Sequence, residues 1–156
     1  MASIKKFEDF EAWQMSRRLC REIDNITSSG TFVKDYALKD QIRRSSGSIM
    51  DNIAEGFGRG GNKEFNQFLS FSKGSAMEVQ SQLYRALDYQ HINQETFNQL
   101  YEETNHIIGK ITNLMKYLFN CENKGTKYTK TKTPPRPLPP DPLKGEPKTR
   151  NPQNKP

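Results

Sequence analysis

The chain has 156 residues, a net charge of +6 and only 33% hydrophobic residues. This length suits one domain, but the low hydrophobic fraction indicates that part of the chain does not pack into a core. No stretch approaches the roughly 20 apolar residues that a bilayer crossing needs, and no basic and apolar leader opens the chain. Composition therefore disfavours secretion and membrane insertion, and we expect a cytoplasmic protein.

Proline content and charge divide the chain at the same place. All nine prolines lie between residues 134 and 156. Residues 1–122 contain 15 Lys and Arg against 16 Asp and Glu, a net charge of −1, whereas residues 123–156 contain 9 against 2, a net charge of +7. We therefore predict a folded domain over residues 1–122 and a disordered, basic, Pro/Lys-rich tail over residues 123–156.

The first two periodic segments predict helices on either side of Gly30. The apolar residues of the first recur every three or four positions and so share one face; they are Ala12, Met15, Leu19, Ile23 and Ile26. The second segment begins at Asp35, a typical N-cap residue, and ends at Gly56. Its inward positions are Leu38, Ile42, Ser45, Ile49 and Ile53.

Two further helices follow a glycine-rich turn at residues 58–61. Asn62 is the predicted N-cap of the third helix, which ends near Tyr89. Its inward positions are Phe65, Leu69, Ser72, Ala76, Val79, Leu83 and Ala86. The fourth helix starts after Asn93 and has a near-heptad stripe formed by Phe97, Tyr101, Thr104, Ile108, Ile111, Met115 and Leu118. These elements predict an all-α, up-and-down antiparallel four-helix bundle.

A second apolar stripe lies beside the first on the fourth helix. Leu100, Ile107 and Leu114 repeat every seven residues. A helix in such a bundle needs one core-facing band, so we interpret this stripe as an interface with another copy of the chain. Periodicity alone leaves a second interpretation open, in which one wide stripe fills a single bundle.

Small residues narrow the middle of the second and third helices. Gly47 and Gly74 lie among serines at these positions. Because glycine costs a helix about 1 kcal/mol relative to alanine, both glycines predict close helix packing.

The candidate polar residues cluster near the turn between the second and third helices. Asn52, Glu55 and Arg59 are three and four residues apart, and we expect a structural cluster in which Glu55 pairs with an arginine. Asp51 and Glu55 share a helix face, but a di-metal bundle needs two mid-helix Glu-x-x-His pairs and two further inward carboxylates. Glu103 and His106 have this spacing in the middle of a helix, whereas the similar pair Asp88 and His91 lies at a helix end. The glycines of residues 56–61 lack the GKS or GKT of a phosphate loop. We predict no enzyme activity, no cofactor and no metal.

Basic residues provide candidate nucleic-acid contacts in both parts of the chain. On the bundle they are Arg43, Arg44, Arg59 and Lys63, although Asp40 lies four residues before Arg44 and offers it an ordinary ion pair. In the tail they are Lys124, Lys127, Lys130, Lys132 and Arg136. Such a tail would bind phosphates through counterion release without reading bases. A solubilising spacer, or a proline-rich ligand for a protein partner, are the alternatives.

Several short sequence motifs in the chain resemble those of one bacterial family. They are FEDFEAWQ at residues 7–14, QIRR at 41–44, NIAEGFGR at 52–59 and KEF at 63–65. With these motifs, residues 4–119 resemble the four-helix bundle proteins encoded in intervening sequences of 23S rRNA. The resemblance implies the same fold, a structural role for NIAEG-x-GR, and association with nucleic acid.

The resemblance also implies partners. Similar small bundles form pentamers that accompany reverse transcriptases in diversity-generating retroelements. We therefore expect a homo-oligomer, most simply a pentamer, that associates with RNA or DNA. Its expected partner is ribosomal RNA or a reverse transcriptase. The alternative function is a structural scaffold that recruits a protein partner through the proline-rich tail.

Overall fold

Four antiparallel α-helices make up the part of the chain that the structure describes. The computed structural model describes residues 4–126, with side chains through residue 121. The helices are α1 (Glu11–Thr27), α2 (Tyr36–Gly58), α3 (Asn62–Asp88) and α4 (Gln94–Thr126). Short 3-10 turns at Phe7–Asp9 and Gly30–Lys34 precede α1 and α2. The predicted all-α four-helix bundle is confirmed.

Side-chain caps explain where two of the helices begin. The carboxylate of Asp35 accepts a bond from the Leu38 amide at 3.0 Å, and Asn93 accepts one from the Thr96 amide at 2.8 Å. Each satisfies an amide that the first helical turn leaves unpaired. The predicted cap at Asn62 is wrong, because Gly61 occupies the N-cap position and Asn62 is already helical.

The core contains the predicted inward faces of α1, α2 and α3. One continuous cluster of buried side chains runs from Phe10 to Leu118. At the end of the bundle near the α2–α3 turn, Phe10, Phe57 and Phe65 pack edge to face, with ring centroids 5.4 to 6.0 Å apart. This arrangement is a favoured geometry for aromatic rings. It joins the N-terminal segment to both helices of the turn.

Close contact between α2 and α3 depends on Gly56 and on serines. A Cβ on Gly56 would lie 2.5 Å from the Cβ of Phe68, whereas Cβ atoms on Gly47 or Gly74 would meet nothing within 4 Å. The prediction that Gly47 and Gly74 mark tight packing is therefore wrong. Serines make the cross-helix bonds instead, since Ser72 donates to the Ile49 carbonyl at 2.7 Å and Ser75 bonds Ser48 at 2.9 Å.

The helix α4 extends past the predicted domain boundary at residue 122, because it continues to Thr126. The rest of the predicted disordered tail lies outside the described residues. Among the residues that are described, no helix is both long enough and apolar enough to cross a membrane.

Candidate nucleic-acid interface and associated surfaces

Arg43 connects α1 to α2. Its guanidinium pairs with the Asp24 carboxylate at 2.7 Å and donates to the Thr27 and Ser28 hydroxyls, both at 2.8 Å. These contacts engage Nε and Nη2, so a phosphate approaching that edge of the guanidinium would have to displace them. Arg43 is therefore a structural link between two helices before it is an anion-binding residue.

The other predicted cations of the bundle are more exposed. Arg44 forms the predicted pair with Asp40 at 3.0 Å and is 79% exposed. Arg59 pairs with Glu55 at 2.6 Å and lies over the Phe68 ring at 5.3 Å. Lys63 is exposed at the start of α3. The three arginines of the bundle that are predicted to contact phosphate are thus all paired with carboxylates, which reduces the field that they present to a polyanion.

The predicted polar cluster separates into two parts. Glu55 and Arg59 form a half-exposed ion pair, and this pairing raises the pKa of Arg59. Asn52 instead bonds the carbonyl and hydroxyl of Ser48 at 2.8 and 2.9 Å, one turn earlier on α2. The structure brings Glu55 and Arg59 together and places Asn52 in the serine contacts with α3. Because the ion pair is exposed, we expect it to contribute little to stability.

A histidine network joins the α1–α2 connection to the α3–α4 turn. His91 bonds the Asp35 carboxylate at 3.0 Å and the Thr31 hydroxyl at 2.9 Å, and its ring stacks on Phe32 at 4.8 Å. The Leu38 amide and then His91 hold the pKa of Asp35 below its usual value. Sequence reasoning missed this network, since its members are 56 and 60 residues apart in the chain.

The order Asp–His–Thr resembles a nucleophilic triad, but its surroundings favour a structural role. The Asp35 carboxylate also caps α2, and the His91 ring packs against the buried Phe32 side chain. The two ring nitrogens of His91 thus join the cap of α2 to the α1–α2 connection, and we interpret the network as a structural link. Within residues 4–121, no group of three or more His, Cys, Asp or Glu side chains could hold a metal ion.

The second stripe of α4 belongs to the core, which corrects the predicted oligomer interface. Leu100 and Ile107 are 1% and 0% exposed within a single chain, and Leu114 is half-buried against the core. A second copy cannot reach the first two without unfolding the bundle. The opposite flank, formed by Tyr101, Ile108 and Met115, is half-buried, so these side chains pack against the edge of the core and are also partly exposed.

An apolar surface, here called the outer α3/α4 face, includes that flank. It consists of Met77 and Tyr84 on α3 and Tyr101, Ile108 and Met115 on α4. Met77 and Tyr84 are 53% and 50% exposed, and the Tyr84 and Tyr101 rings lie 5.7 Å apart. The members on each helix are seven residues apart, so they line up along the helix axes. Contiguous apolar surface of this kind is typical of protein interfaces.

The predicted nucleic-acid contacts of the tail lie beyond the described side chains. Lys124 lies within α4, but its side chain is outside the described residues, as are Lys127, Lys130, Lys132 and Arg136. Their chemistry follows from sequence alone.

Comparison with known proteins agrees with the fold. The sequence matches no curated protein. A crystal structure of a protein of unknown function from the S23 ribosomal protein family of Bacteroides thetaiotaomicron VPI-5482 is similar, with a TM-score of 0.62 and 20% identity. The match covers 67% of this chain and 98% of that chain, and at this identity it shows the fold alone. The family model of the 23S rRNA-intervening sequence protein matches residues 8–113. That span covers most of the bundle, and the chain therefore belongs to the family of 23S rRNA-intervening sequence proteins.

Proposed function

We propose that the protein is a non-enzymatic, homo-oligomeric accessory protein that associates with nucleic acid mainly through its basic tail. The observation that carries this proposal is the separation of charge. The bundle is nearly neutral and its candidate arginines are ion-paired, whereas residues 123–156 have a net charge of +7. Binding to phosphate through such a segment is electrostatic and independent of sequence.

Family membership supports RNA as the polyanion. The family name refers to intervening sequences of 23S rRNA. Two settings fit an accessory role of this kind, association with ribosomal RNA and partnership with a reverse transcriptase in a diversity-generating retroelement. A neighbouring rRNA operon or reverse-transcriptase gene would distinguish them.

The proposed assembly uses the outer α3/α4 face. The core of each chain is complete, so the apolar side chains left at the surface are available to another copy. In a closed ring of five copies, this face would pack against a different surface of the next copy, so it would be covered on every chain without a free end. Five tails on one particle would then reinforce one another on a long polyanion.

Neutralising the tail should weaken RNA binding and its dependence on salt. In a variant with Lys124, Lys127, Lys130 and Lys132 all changed to Gln, the slope of log affinity against log salt should fall by up to about 3 for each bound tail, because each phosphate contact on a single strand contributes roughly 0.7. Titration of RNA at several salt concentrations measures this slope.

The matched control neutralises the same number of exposed bundle lysines, at Lys5, Lys6, Lys34 and Lys116. This control should retain most of the affinity and slope. An unchanged slope in the tail variant, or an equal loss in both variants, would move the binding surface onto the bundle.

Native mass spectrometry should detect an assembly of about 90 kDa, which is the mass of five copies of a chain of 18.0 kDa. Tyr84→Glu places a charge in the outer α3/α4 face and should dissociate it. Tyr36→Glu is the control, because Tyr36 is an exposed tyrosine at the start of α2 and lies outside this face. A wild-type protein that remains at 18.0 kDa at micromolar concentration would contradict self-association.

A further inference from the structure

An apolar cleft opens at the end of the bundle beside the α2–α3 turn. It has a volume of about 780 Å³, and the N-terminal segment, the turn and the last part of α4 form its walls. Its side chains are mainly aromatic or aliphatic, among them Phe10, Phe57, Phe65, Leu114, Tyr117 and Leu118. The packed phenylalanines supply a fixed surface, while Tyr117 is 52% exposed at α4. The cleft is separate from the outer α3/α4 face and from the paired arginines.

The course of α4 brings the chain out of the bundle next to this cleft. Lys110 pairs with Glu11 at 2.7 Å, which places Lys110 level with the first residue of α1. The helix then continues to Thr126. At about 1.5 Å per residue, Thr126 lies roughly 12 Å beyond Leu118 along the axis.

The segment that follows has the length and chemistry to return to the cleft. Residues 127–133 span up to about 23 Å when extended, which exceeds the distance back to Leu118. Residues 134–140 read PPRPLPP. Proline-rich segments favour a polyproline helix that is ordered before binding, and grooves lined with aromatic rings recognise it. We propose that this cleft binds residues 134–140 of the same chain.

Two features favour this occupant over an unrelated apolar ligand. Tethering gives the segment an effective concentration on the order of millimolar, so even weak binding populates the docked state. The segment also contains Arg136 between its prolines, and the cleft has Glu64 beside it. A Cβ on the cleft residue Gly61 would lie 3.6 Å from the Glu64 carboxylate. An arginine next to the prolines can pair with that carboxylate while the prolines cover the rings.

Photocrosslinking in the full-length protein tests the proposal. With benzoylphenylalanine in place of Leu138, irradiation should produce crosslinks to cleft residues within one chain, identified by mass spectrometry. Mixing isotope-labelled and unlabelled chains separates links within a chain from links between chains. The same probe at Thr149, beyond the proline-rich segment, should give at least several-fold fewer cleft crosslinks.

Two exposed aromatic residues of α4 provide a matched pair of variants. Tyr117→Ala removes a cleft side chain and should reduce the Leu138 crosslinks several-fold, whereas Phe119→Ala should leave them unchanged, since Phe119 is 58% exposed and does not line the cleft. Circular dichroism checks that both variants remain folded. Crosslinks spread over the bundle, equal loss in both variants, or crosslinks only between chains would overturn the proposal. The four lysines changed in the RNA titration lie outside residues 134–140, so a failure of this proposal leaves the RNA-binding proposal standing.

Discussion

Replacing Ile107 by Ala is expected to lower the free energy of unfolding by about 2–5 kcal/mol. Ile107 is completely buried within one chain, so the change removes apolar contacts and leaves a cavity. Urea unfolding followed by circular dichroism measures the loss. Under the original interpretation, in which this residue contacts another copy, the same change would weaken assembly and leave the protomer stable.

The adjacent isoleucine provides the control. Ile108 is half-buried on the outer α3/α4 face, so Ile108→Ala should destabilise the protomer clearly less than Ile107→Ala. Both changes are best compared in the Tyr84→Glu background, where assembly no longer contributes to stability. Equal urea midpoints for the two variants would show that the assignment of the two faces is incorrect.

Gly56→Ala is expected to destabilise the bundle, although alanine is the better helix former. The new methyl group would lie 2.5 Å from the Phe68 Cβ and 2.9 Å from the Phe65 ring. The Phe68 Cβ is attached to the backbone, so α2 and α3 must move apart to relieve the contact. Overpacking of this kind costs about 1–3 kcal/mol, and the gain of about 1 kcal/mol in helix propensity offsets only part of it.

Gly74→Ala should have the opposite effect on the free energy of unfolding. Gly74 is exposed in the middle of α3, and a Cβ there meets nothing within 4 Å. The substitution should therefore stabilise the protein by up to about 1 kcal/mol. Thermal unfolding of the two variants side by side tests the pair. A Gly56→Ala protein that melts at or above the wild-type temperature would contradict the close approach of α2 and α3.

The starts of α2 and α4 could be predicted from the sequence because nearby side chains cap them. Asp35 and Asn93 cap α2 and α4 through bonds to amides three residues later, and such bonds depend only on nearby sequence. The predicted start of α3 differs from the observed one by a single residue, because the N-cap is Gly61 and not Asn62. Gly61 has no side chain to offer as a cap, yet it fills the N-cap position.

The rotation of α4 could not be predicted from its period. Phe97, Thr104, Ile111 and Leu118 form a central seam on α4 that faces inward whichever flank is turned to the core. All four are buried. Apolar residues flank this seam on both sides, with Leu100 and Ile107 on one and Tyr101 and Ile108 on the other. Contacts with the other three helices decide which flank is buried, and these contacts are not visible in a local pattern. The same limit applies to Gly56 and to the bond between Asp35 and His91.

A closed core within each chain has a consequence for the order of events during synthesis. Since Leu100 and Ile107 are covered by their own chain, a newly made bundle can reach its native packing before it meets another copy. In the proposed assembly, chains that are already folded would associate with one another, and the rate of association would rise with protein concentration. On dilution, the proposed assembly would dissociate into chains that keep their helices, so the number of tails held together would depend on protein concentration.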